Sequence, residues 1–334
     1  MGDTHSVLPL VEGTISSPKS LFNHMKKGLF LFFVLFACFS GRAQLTYDQL
    51  QVVYDSAIEY KNLKIIPVIL RAPGNSGSGG PMSLSKALEQ GLVSISERGT
   101  ASTENVHWLR INNRSKRPLY VASGEVIMGG RQDRMVARDT ILYPNGGRDQ
   151  YVGVMCVEED RWSDKEKKFT YFNYANPRLR KVLDHSKNQV SLWREIYNQL
   201  DSSGIKSPTL SYTGQRLDKK AIADMEGYLR FFTQAIGKRD STWAGFICVS
   251  GDQVIGADIY NSQQLFYDQL VPLLQGYIEE AVLNGSIVHI KDEKVKTYID
   301  PALNDEKSQE NYLKERGKIF RNNNEVFHIT IFGE

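Results

Sequence analysis

Strand-like and helix-like runs occupy different parts of this chain, and this separation constrains the fold more than any single motif does. Up to Val157, apolar residues form short runs rich in Ile and Val, or alternate with other residues as in Tyr151–Val157. From Pro177 onward, apolar residues recur at three- and four-residue spacing, which is typical of amphipathic helices. Because the strand runs are separate from the helix runs, the pattern favours an α+β fold over a doubly wound α/β sheet.

The predicted elements give a strand-rich N-terminal half, a helical middle and a strand–helix–hairpin tail, packed into one globular unit. Helices are predicted at Tyr47–Tyr60, Ser83–Gly91, Leu179–Leu200, Lys219–Ile236 and Gln263–Leu283. Pro272 is expected to kink or break the last of these helices. Strands are predicted at Leu63–Leu70, Leu92–Ser96, Val106–Ile111, Pro118–Ala122, Arg134–Tyr143 and Tyr151–Val157, and hairpins at Trp243–Ile259 and Gly317–Phe332.

The N-terminal region predicts export. Lys26 and Lys27 precede an apolar run, Gly28–Ser40, and the small residues that a signal peptidase reads follow at 41–43. As a helix, this run rises roughly 20 Å, which is short of the ~30 Å hydrocarbon core of a membrane. We therefore interpret residues 25–43 as a cleavable signal peptide, without a stable transmembrane anchor, and expect the mature protein to be periplasmic or extracellular.

The remaining boundaries follow from this interpretation. Residues 1–24 are polar and do not resemble a leader, so Met25 is the simplest true start, and 1–24 are interpreted as a mis-called extension. Residues 44–61 are predicted to form an N-terminal helix, and 62–334 the main α+β domain. A lipid anchor on Cys38 is the alternative to secretion, although Phe36 is bulky where a lipoprotein signal has a small residue.

Charge and cysteine content narrow the class of partner. The full chain carries a formal net charge of +3, and the chain without residues 1–43 is close to neutral, so its charge does not indicate nucleic acid as a partner. Once the leader is removed, Cys156 and Cys248 remain, and they can form one disulfide or stay as two buried thiols. No Cys/His spacing indicates zinc, and no cofactor can be assigned.

Polar and charged residues meet glycines between Ser123 and Trp162, and we expect this stretch to contain the functional centre. The candidate acid or base groups are Glu125 and Glu158, since a carboxylate held near arginine stays ionised and can activate water. The candidate ligand-binding residues are glycines, which let a ligand approach the backbone, and side chains suited to anionic groups, namely Gly124, Gly129, Gly130, Gln132, Arg134, Arg161 and Trp162.

A structural interpretation of the same residues stands beside the functional one. Glu125 with Arg134, or Glu158 with Arg161, can be salt bridges that brace a β-structure, with Gly129 and Gly130 serving a tight turn. The phosphate-binding glycine motifs, the serine-nucleophile elbow and the zinc-helix motif are all absent from the sequence. The residues alone leave both interpretations open.

Three segments in order resemble a known family of domains. They are "SLSKALEQGLVSISERG", "INNRSKRPLYVASGEVIMGGRQDRMVARDTILYP" and "VGVMCVEEDRW". This combination resembles the ARPP family, named as the ARG and rhodanese-phosphatase-superfamily-associated protein domain, in which ARG stands for ADP-ribosylglycohydrolase. Weaker similarity extends over most of residues 62–332.

The resemblance implies a role near ADP-ribose-processing enzymes, because the family's name records such an association. Two hypotheses follow. In the first, the chain is a non-catalytic module that binds a small molecule or a partner; in the second, it is an envelope enzyme that processes an ADP-ribose-like ligand or a sugar phosphate through Glu and Arg side chains. The enzyme hypothesis expects an anionic small molecule, ADP-ribose-like or a sugar phosphate, at the candidate site, whereas in the module hypothesis the charges of that site act as internal braces.

Overall fold

The computed structural model describes Gly2 and residues 44–72, 80–98, 106–161, 167–237 and 242–334. The predicted signal peptide at 25–43 and the candidate residue Trp162 lie outside these residues. The sixteen strands of the described chain are β1 Leu50–Val52, β2 Ile58–Tyr60, β3 Leu63–Leu70, β4 Met82–Ser83, β5 Val93–Glu97, β6 Trp108–Asn113, β7 Leu119–Val121, β8 Glu125–Gly130, β9 Arg134–Val136, β10 Thr140–Leu142, β11 Asp149–Cys156, β12 Lys167–Tyr174, β13 Trp243–Ser250, β14 Gln253–Tyr260, β15 Gly317–Asn322 and β16 Glu325–Phe332.

Helices and two short 3₁₀ turns connect these strands. The seven α-helices of the described chain are α1 Leu84–Glu89, α2 Pro177–Ser186, α3 Gln189–Ser203, α4 Lys219–Gly237, α5 Gln263–Asn284, α6 Asp292–Leu303 and α7 Glu306–Arg316. The 3₁₀ turns are Tyr54–Ser56 and Tyr212–Leu217. Among the described helices, none is both long enough and apolar enough to cross a membrane.

The largest sheet is antiparallel and has seven strands. Its order is β1-β3-β13-β14-β16-β15, and β2 pairs with the first half of β3. The central strand β13, WAGFICVS, is buried along its whole length. A continuous apolar strand of this kind fits a position covered on both faces. Helices α4 and α5 pack on one face, around Phe246 and Tyr260, and helices α6 and α7 pack on the other, around Ile247 and Ile259.

A second sheet carries the predicted functional stretch. Its order is β12-β8-β9-β11-β6-β5, and a small third sheet, β10-β7-β4, lies beside it. One apolar core of this region includes residues of α1, β6 and β11, and another includes residues of α2 and α3. Residues 44–334 form one compact unit, so the expected α+β fold with sheets and helices in a single unit is confirmed.

Local sequence signals fix the start of α2. The side chain of Asn176 accepts a hydrogen bond from the Leu179 amide at 2.9 Å, and Pro177 occupies the first turn, where its missing N–H costs nothing. The same rule holds at α1, where the hydroxyl of Ser83 accepts from the Lys86 amide. The Asn176 cap places Arg180 one turn into α2, in the buried interior of the protein.

Several sequence predictions need correction. The predicted helix at Tyr47–Tyr60 is wrong: this segment contains strands β1 and β2 and a 3₁₀ turn, because Leu50 and Ile58 reach the core by pairing with β3. The predicted helix at Leu179–Leu200 is two helices, separated at Lys187, whose backbone is left-handed. Helix α5 continues through Pro272 instead of breaking there.

Other outcomes concern segments for which the sequence was silent or ambiguous. Strand β12 was not predicted, although its sequence, KKFTYFNY, is rich in the aromatic residues that favour strands. The charged segment 291–314 forms α6 and α7 and buries Val295 and Ile299 beneath its charged surface. Cys156 and Cys248 are both buried and do not form a disulfide, which selects the alternative of two buried thiols. Both predicted hairpins are present.

Candidate functional site

Three predicted residues, Arg134, Glu158 and Arg161, lie together with Glu97 and Asp133, and we call these five side chains the arginine–carboxylate cluster. The Nε of Arg161 lies 2.7 Å from Oε2 of Glu158, and its Nη2 lies 3.0 Å from Oδ1 of Asp133. An Nη2 to Oε2 distance of 3.6 Å joins Arg134 to Glu97, and both of these side chains are almost fully buried. Both guanidinium groups therefore already have carboxylate partners.

Hydrogen bonds from the surrounding chain occupy the remaining acceptors of Glu158 and Asp133. The Thr209 hydroxyl donates to Oε1 of Glu158 at 2.7 Å, and the Asp133 amide donates to Oε2 at 3.2 Å. The Thr213 hydroxyl donates to Oδ2 of Asp133 at 2.9 Å. The Gln132 side chain donates to the carbonyl of Glu158 at 2.9 Å. Because these oxygens all have internal donors, the cluster ties the end of β11 to the loop before β9.

The three glycines of the predicted site make room for protein atoms. Gly124 has a φ of +91°, and a Cβ there would lie 2.9 Å from Cγ of the Arg180 side chain. Gly129 has a φ of +121°, and a Cβ there would lie 2.5 Å from the carbonyl oxygen of Lys168 on β12. The carbonyls of Gly129 and Gly130 both accept hydrogen bonds from Arg161. These glycines allow strands and an arginine side chain to approach closely.

Glu125 belongs to a different network. Its fully buried carboxyl accepts hydrogen bonds from the Ala122 amide at 2.7 Å, the Tyr171 hydroxyl at 3.0 Å and the Gln269 amide at 3.4 Å. Burial raises the pKa of the Glu125 carboxyl to about 8, because no cation among these partners offsets the loss of hydration. Glu125 is therefore mostly protonated at neutral pH.

The structure thus brings Gln132, Arg134, Glu158 and Arg161 together and places Glu125 among other partners. None of these five residues belongs to the lining of four cavities found among the described residues. Trp162 lies outside the described residues. A role for the predicted residues in binding a ligand stays a prediction. Of the two braces named in the alternative interpretation, Glu158 with Arg161 is present, whereas Glu125 with Arg134 is not, because Arg134 pairs with Glu97.

Sequence reasoning missed the most connected polar group, the buried carboxylate of Asp258 on β14. Arg180 of α2 reaches it with two nitrogen atoms, at 2.8 and 2.6 Å. The hydroxyls of Tyr277 and Thr330 donate to it at 2.8 and 2.9 Å, and Nε2 of His328 lies 2.9 Å away. The available signals were Asp258 in GADIY and His328 in VFHITIF, each an ionisable residue inside an otherwise apolar strand. Such a residue must be buried together with polar partners.

The network continues from His328 to a second buried carboxylate. Nδ1 of His328 lies 2.8 Å from the Tyr120 hydroxyl, which donates to Oδ1 of Asp139 at 2.7 Å. Lys318 completes the path with an Nζ to Oδ2 distance of 2.8 Å to Asp139. Tyr120 has a single hydroxyl hydrogen, and Asp139 receives it. Both ring nitrogens of His328 therefore lie within hydrogen-bond distance of a buried oxygen atom, one of Asp258 and one of Tyr120.

The charges of this network set the ionisation of its two carboxyls. Burial alone raises the pKa of Asp258, but the Arg180 guanidinium and its hydrogen bonds outweigh burial and hold this pKa well below its usual range. In the same way, burial raises the pKa of Asp139, and the Lys318 ammonium and His328 lower it well below its usual range. Both carboxylates are therefore ionised inside the protein at neutral pH.

A cavity of about 270 Å³, here called cavity 1, lies between β12, α4 and α5. The lining combines apolar side chains with two carboxylates, two carboxamides and a tyrosine, and it comprises Tyr171, Phe172, Asn173, Ile222, Met225, Glu226, Leu229, Gln275, Ile278 and Glu279. Glu279 is almost fully buried and accepts hydrogen bonds from the Tyr212 hydroxyl and the Asn176 amide. Oδ1 of Asn173, a residue that is 6% exposed, has no hydrogen-bond partner among the described residues.

Metal binding has no support in the described ranges, where no group of three or more His, Cys, Asp or Glu side chains is placed to hold an ion.

The sheets and helices described above define a single α+β domain. A comparison with family models assigns this domain to a family. The chain belongs to the ARPP-1 family, described as the ARG and rhodanese-phosphatase-superfamily-associated protein domain, which matches residues 51–327. This confirms the resemblance found in the sequence. No curated protein and no solved structure matches the chain.

The Asp258 network predicts a large loss of stability when its cation is removed. Arg180→Met leaves a buried carboxylate without its main partner, so the free energy of unfolding should fall by about 3–5 kcal/mol. Urea denaturation at pH 7 measures this fall. Adding Asp258→Asn to the variant should restore part of the loss, because the uncompensated charge is then gone.

A surface pair provides the control for this prediction. Lys220→Met removes the exposed partner of Asp224 and should leave the urea midpoint unchanged. An Arg180→Met variant as stable as the Lys220→Met variant would contradict the central role of the Asp258 network.

The raised pKa of Glu125 predicts a pH-dependent effect of substitution. The pKa of about 8 in the folded protein lies above the usual glutamate value of 4.5, so the stability contributed by Glu125 is fully present below about pH 4.5 and is lost as pH rises to about 8. Glu125→Gln cannot ionise. The stability of this variant relative to wild type should therefore increase by roughly 1 kcal/mol per pH unit across this window.

Urea titrations at pH 5, 6, 7 and 8 measure this slope. Glu59→Gln, which changes an exposed glutamate on β2, is the control and should show no slope. A constant stability difference between Glu125→Gln and wild type would show that Glu125 is ionised in the folded protein.

Proposed function

We propose that this chain is an exported, non-catalytic binding module whose ligand is a small amphipathic cation held in cavity 1. The observation that carries the proposal is the composition of the lining. Glu279, whose carboxylate is buried, and Asn173, whose Oδ1 has no partner among the described residues, both line a largely apolar space. Such a mixture of apolar surface and a few polar groups is usual for small-molecule sites.

The charge of the lining supports a cation over an anion. Glu226 and Glu279 contribute carboxylates, and the lining residues include no Lys, Arg or His. The unpartnered Oδ1 of Asn173 accepts hydrogen bonds and cannot donate them. An ammonium group attached to an apolar body supplies both the positive charge and the donor hydrogens that this lining lacks.

The apolar part of the lining supports a hydrophobic ligand body. Phe172, Ile222, Met225, Leu229 and Ile278 come from three elements, β12, α4 and α5. Glu226 is exposed at the surface of α4, whereas Glu279 is buried, so the carboxylates lie at different depths. A volume of about 270 Å³ limits the ligand to a small molecule.

The alternative function is an envelope enzyme that processes an ADP-ribose-like ligand or a sugar phosphate through Glu125, Glu158 and the two arginines. The family name is its main support. Against it, Arg134 and Arg161 already have carboxylate partners, so recognition of a phosphate would have to displace them. We therefore prefer the binding module.

Three ligands with the same indole ring test the proposal. Tryptamine carries an ammonium group, tryptophol a hydroxyl and indole-3-propionate a carboxylate at the end of the same two-carbon chain. Titration calorimetry should show the tightest binding for tryptamine and the weakest for indole-3-propionate, because the lining is acidic. ADP-ribose in a parallel titration tests the enzyme alternative.

Asn173→Leu separates a binding role from a structural one. The substitution removes an acceptor that lacks an internal partner, so stability should stay equal or rise, while tryptamine affinity should fall about fivefold. Asn311→Leu, an exposed position on α7, is the control. Equal binding of the three indoles, or tight binding of ADP-ribose that Arg161→Ala abolishes, would overturn the cation proposal.

The proposed export has its own test. Gln44, Leu45 and Thr46 are buried, and Leu45 lies in an apolar core with residues of α6 and α7, so cleavage after Ala43 would leave the domain's contacts intact. Mass spectrometry of the protein secreted by its own cells should show a mature N-terminus at Gln44. A lipid-modified N-terminus at Cys38 would support the lipoprotein alternative, and an intact leader would contradict both.

A further inference from the structure

A larger cavity lies at the open edges of the six-stranded sheet. The sheet order puts β5 at one end and β12 at the other, and these two edge strands approach each other without pairing. The space between them, here called cavity 2, has a volume of about 800 Å³. Helix α1 contributes Ser85, Lys86, Leu88 and Glu89 to its lining, and α5 contributes Tyr267, Asp268, Val271 and Pro272.

Strand β5 presents unpaired backbone groups to cavity 2. Its register with β6 is regular from Val93 to Glu97, and the Arg114 amide extends the ladder by donating to the Leu92 carbonyl at 3.0 Å. In an antiparallel pair the groups that face the partner strand alternate. The backbone groups of Ser94 and Ser96 therefore face β6, and those of Val93 and Ile95 face outward, where both residues line the cavity.

The opposite wall is less suited to strand pairing. Strand β12 has two register shifts against β8 and exposes Lys168, and both bulges and lysine protect an edge strand from further pairing. Helix α5 adds a backbone acceptor, because Pro272 has no N–H for the carbonyl of Asp268 one turn earlier. The regular edge of β5 is thus the template, and the other elements form the walls.

Side chains around the edge give the cavity a preferred sign of charge. Lys86 is paired with Glu89, whereas Lys168 and Arg114 have no carboxylate partner among the described residues and outnumber the one remaining carboxylate of the lining, that of Asp268. Apolar contacts are available from Leu88, Ile95 and Phe169, and from Val271, which is 44% exposed. An occupant with alternating acidic and apolar side chains would match both features.

We propose that cavity 2 binds an extended peptide segment of a partner protein, which adds as a strand to β5 and places acidic side chains beside Lys168 and Arg114. Main-chain hydrogen bonds to the outward groups of Val93 and Ile95 provide the attachment, and apolar side chains of the peptide enter the space toward Phe169 and Val271. Five strand residues of β5 span about 17 Å, the length of a five-residue extended peptide.

Synthetic peptides test the chemistry of the occupant. The probe is a blocked heptapeptide of alternating Val and Asp, and its partner has Lys in place of each Asp. Fluorescence anisotropy should show binding of the Asp peptide and weaker binding of the Lys peptide. Two further Asp peptides, N-methylated either at every Val or at every Asp, test strand addition. One of the two should lose binding about tenfold or more, since one set of amides faces β5.

A charge exchange on the protein tests the location. Lys168→Glu should weaken binding of the Asp peptide about three- to tenfold and strengthen binding of the Lys peptide. Lys206→Glu, an exposed lysine that does not line cavity 2, is the control and should change neither affinity. Thermal denaturation of both variants checks that the fold is retained.

Three results would overturn the proposal. They are equal binding of the Asp and Lys peptides, binding that neither N-methylated peptide loses, and a concentration-dependent dimer of the chain alone that Lys168→Glu disrupts. The last result would assign the edge of β5 to a second copy of the chain. None of these outcomes depends on cavity 1, because its lining does not include Lys168 or β5.

Discussion

The buried carboxylate of Asp258 is the interaction on which the arrangement of the two large sheets depends. A carboxylate without hydration is costly, so its position is stable only where several donors converge. Those donors come from α2, α5 and β16, through Arg180, Tyr277, His328 and Thr330. If any of these donors moved away, the ionised carboxylate of Asp258 would lose a hydrogen bond in apolar surroundings. The network therefore fixes the position of α2, whose Arg180 side chain also requires the glycine at 124.

Charges that suggested a ligand site in the sequence have a different use in the folded protein. In the arginine–carboxylate cluster and the Asp258 network, charged side chains pair with one another, and the glycines admit strands and side chains. Strand β12 carries residues of both cavities on which the proposals rest. Its Asn173 lines cavity 1, its Lys168 lines cavity 2, and its Tyr171 lines both and bonds to protonated Glu125. This strand is therefore the element through which the two proposed sites are connected.

Much of the fold was predictable because local signals were strong. The limits of β3 match the apolar run Leu63–Leu70. The helix cap at Ser83 and the turn of the final hairpin are short-range features. The apolar sequence of β13 predicts a strand that is buried on both faces. The helix predicted at Tyr47–Tyr60 was wrong because helical spacing of apolar residues is a weak signal in a short run. Pairing with β3 determined the structure of this segment instead. At the candidate site, the pairing of Glu158 with Arg161 was predictable because the two residues are three positions apart. The sequence did not show that Glu125 lies in a different network from these two residues.

The sequence by itself determined the α+β class, the family and most element boundaries, because hydrophobic periodicity, caps and turns act over a few residues. Only the tertiary structure decided which charged groups are satisfied internally and which remain free to bind. Asp258 and Arg180 are 78 residues apart, and Arg180 and Thr330 are 150 apart, so no local pattern shows that they meet. Whether a carboxylate braces the core or lines a cavity depends on such distant partners, and that choice separates the structural residues of this protein from the proposed functional ones.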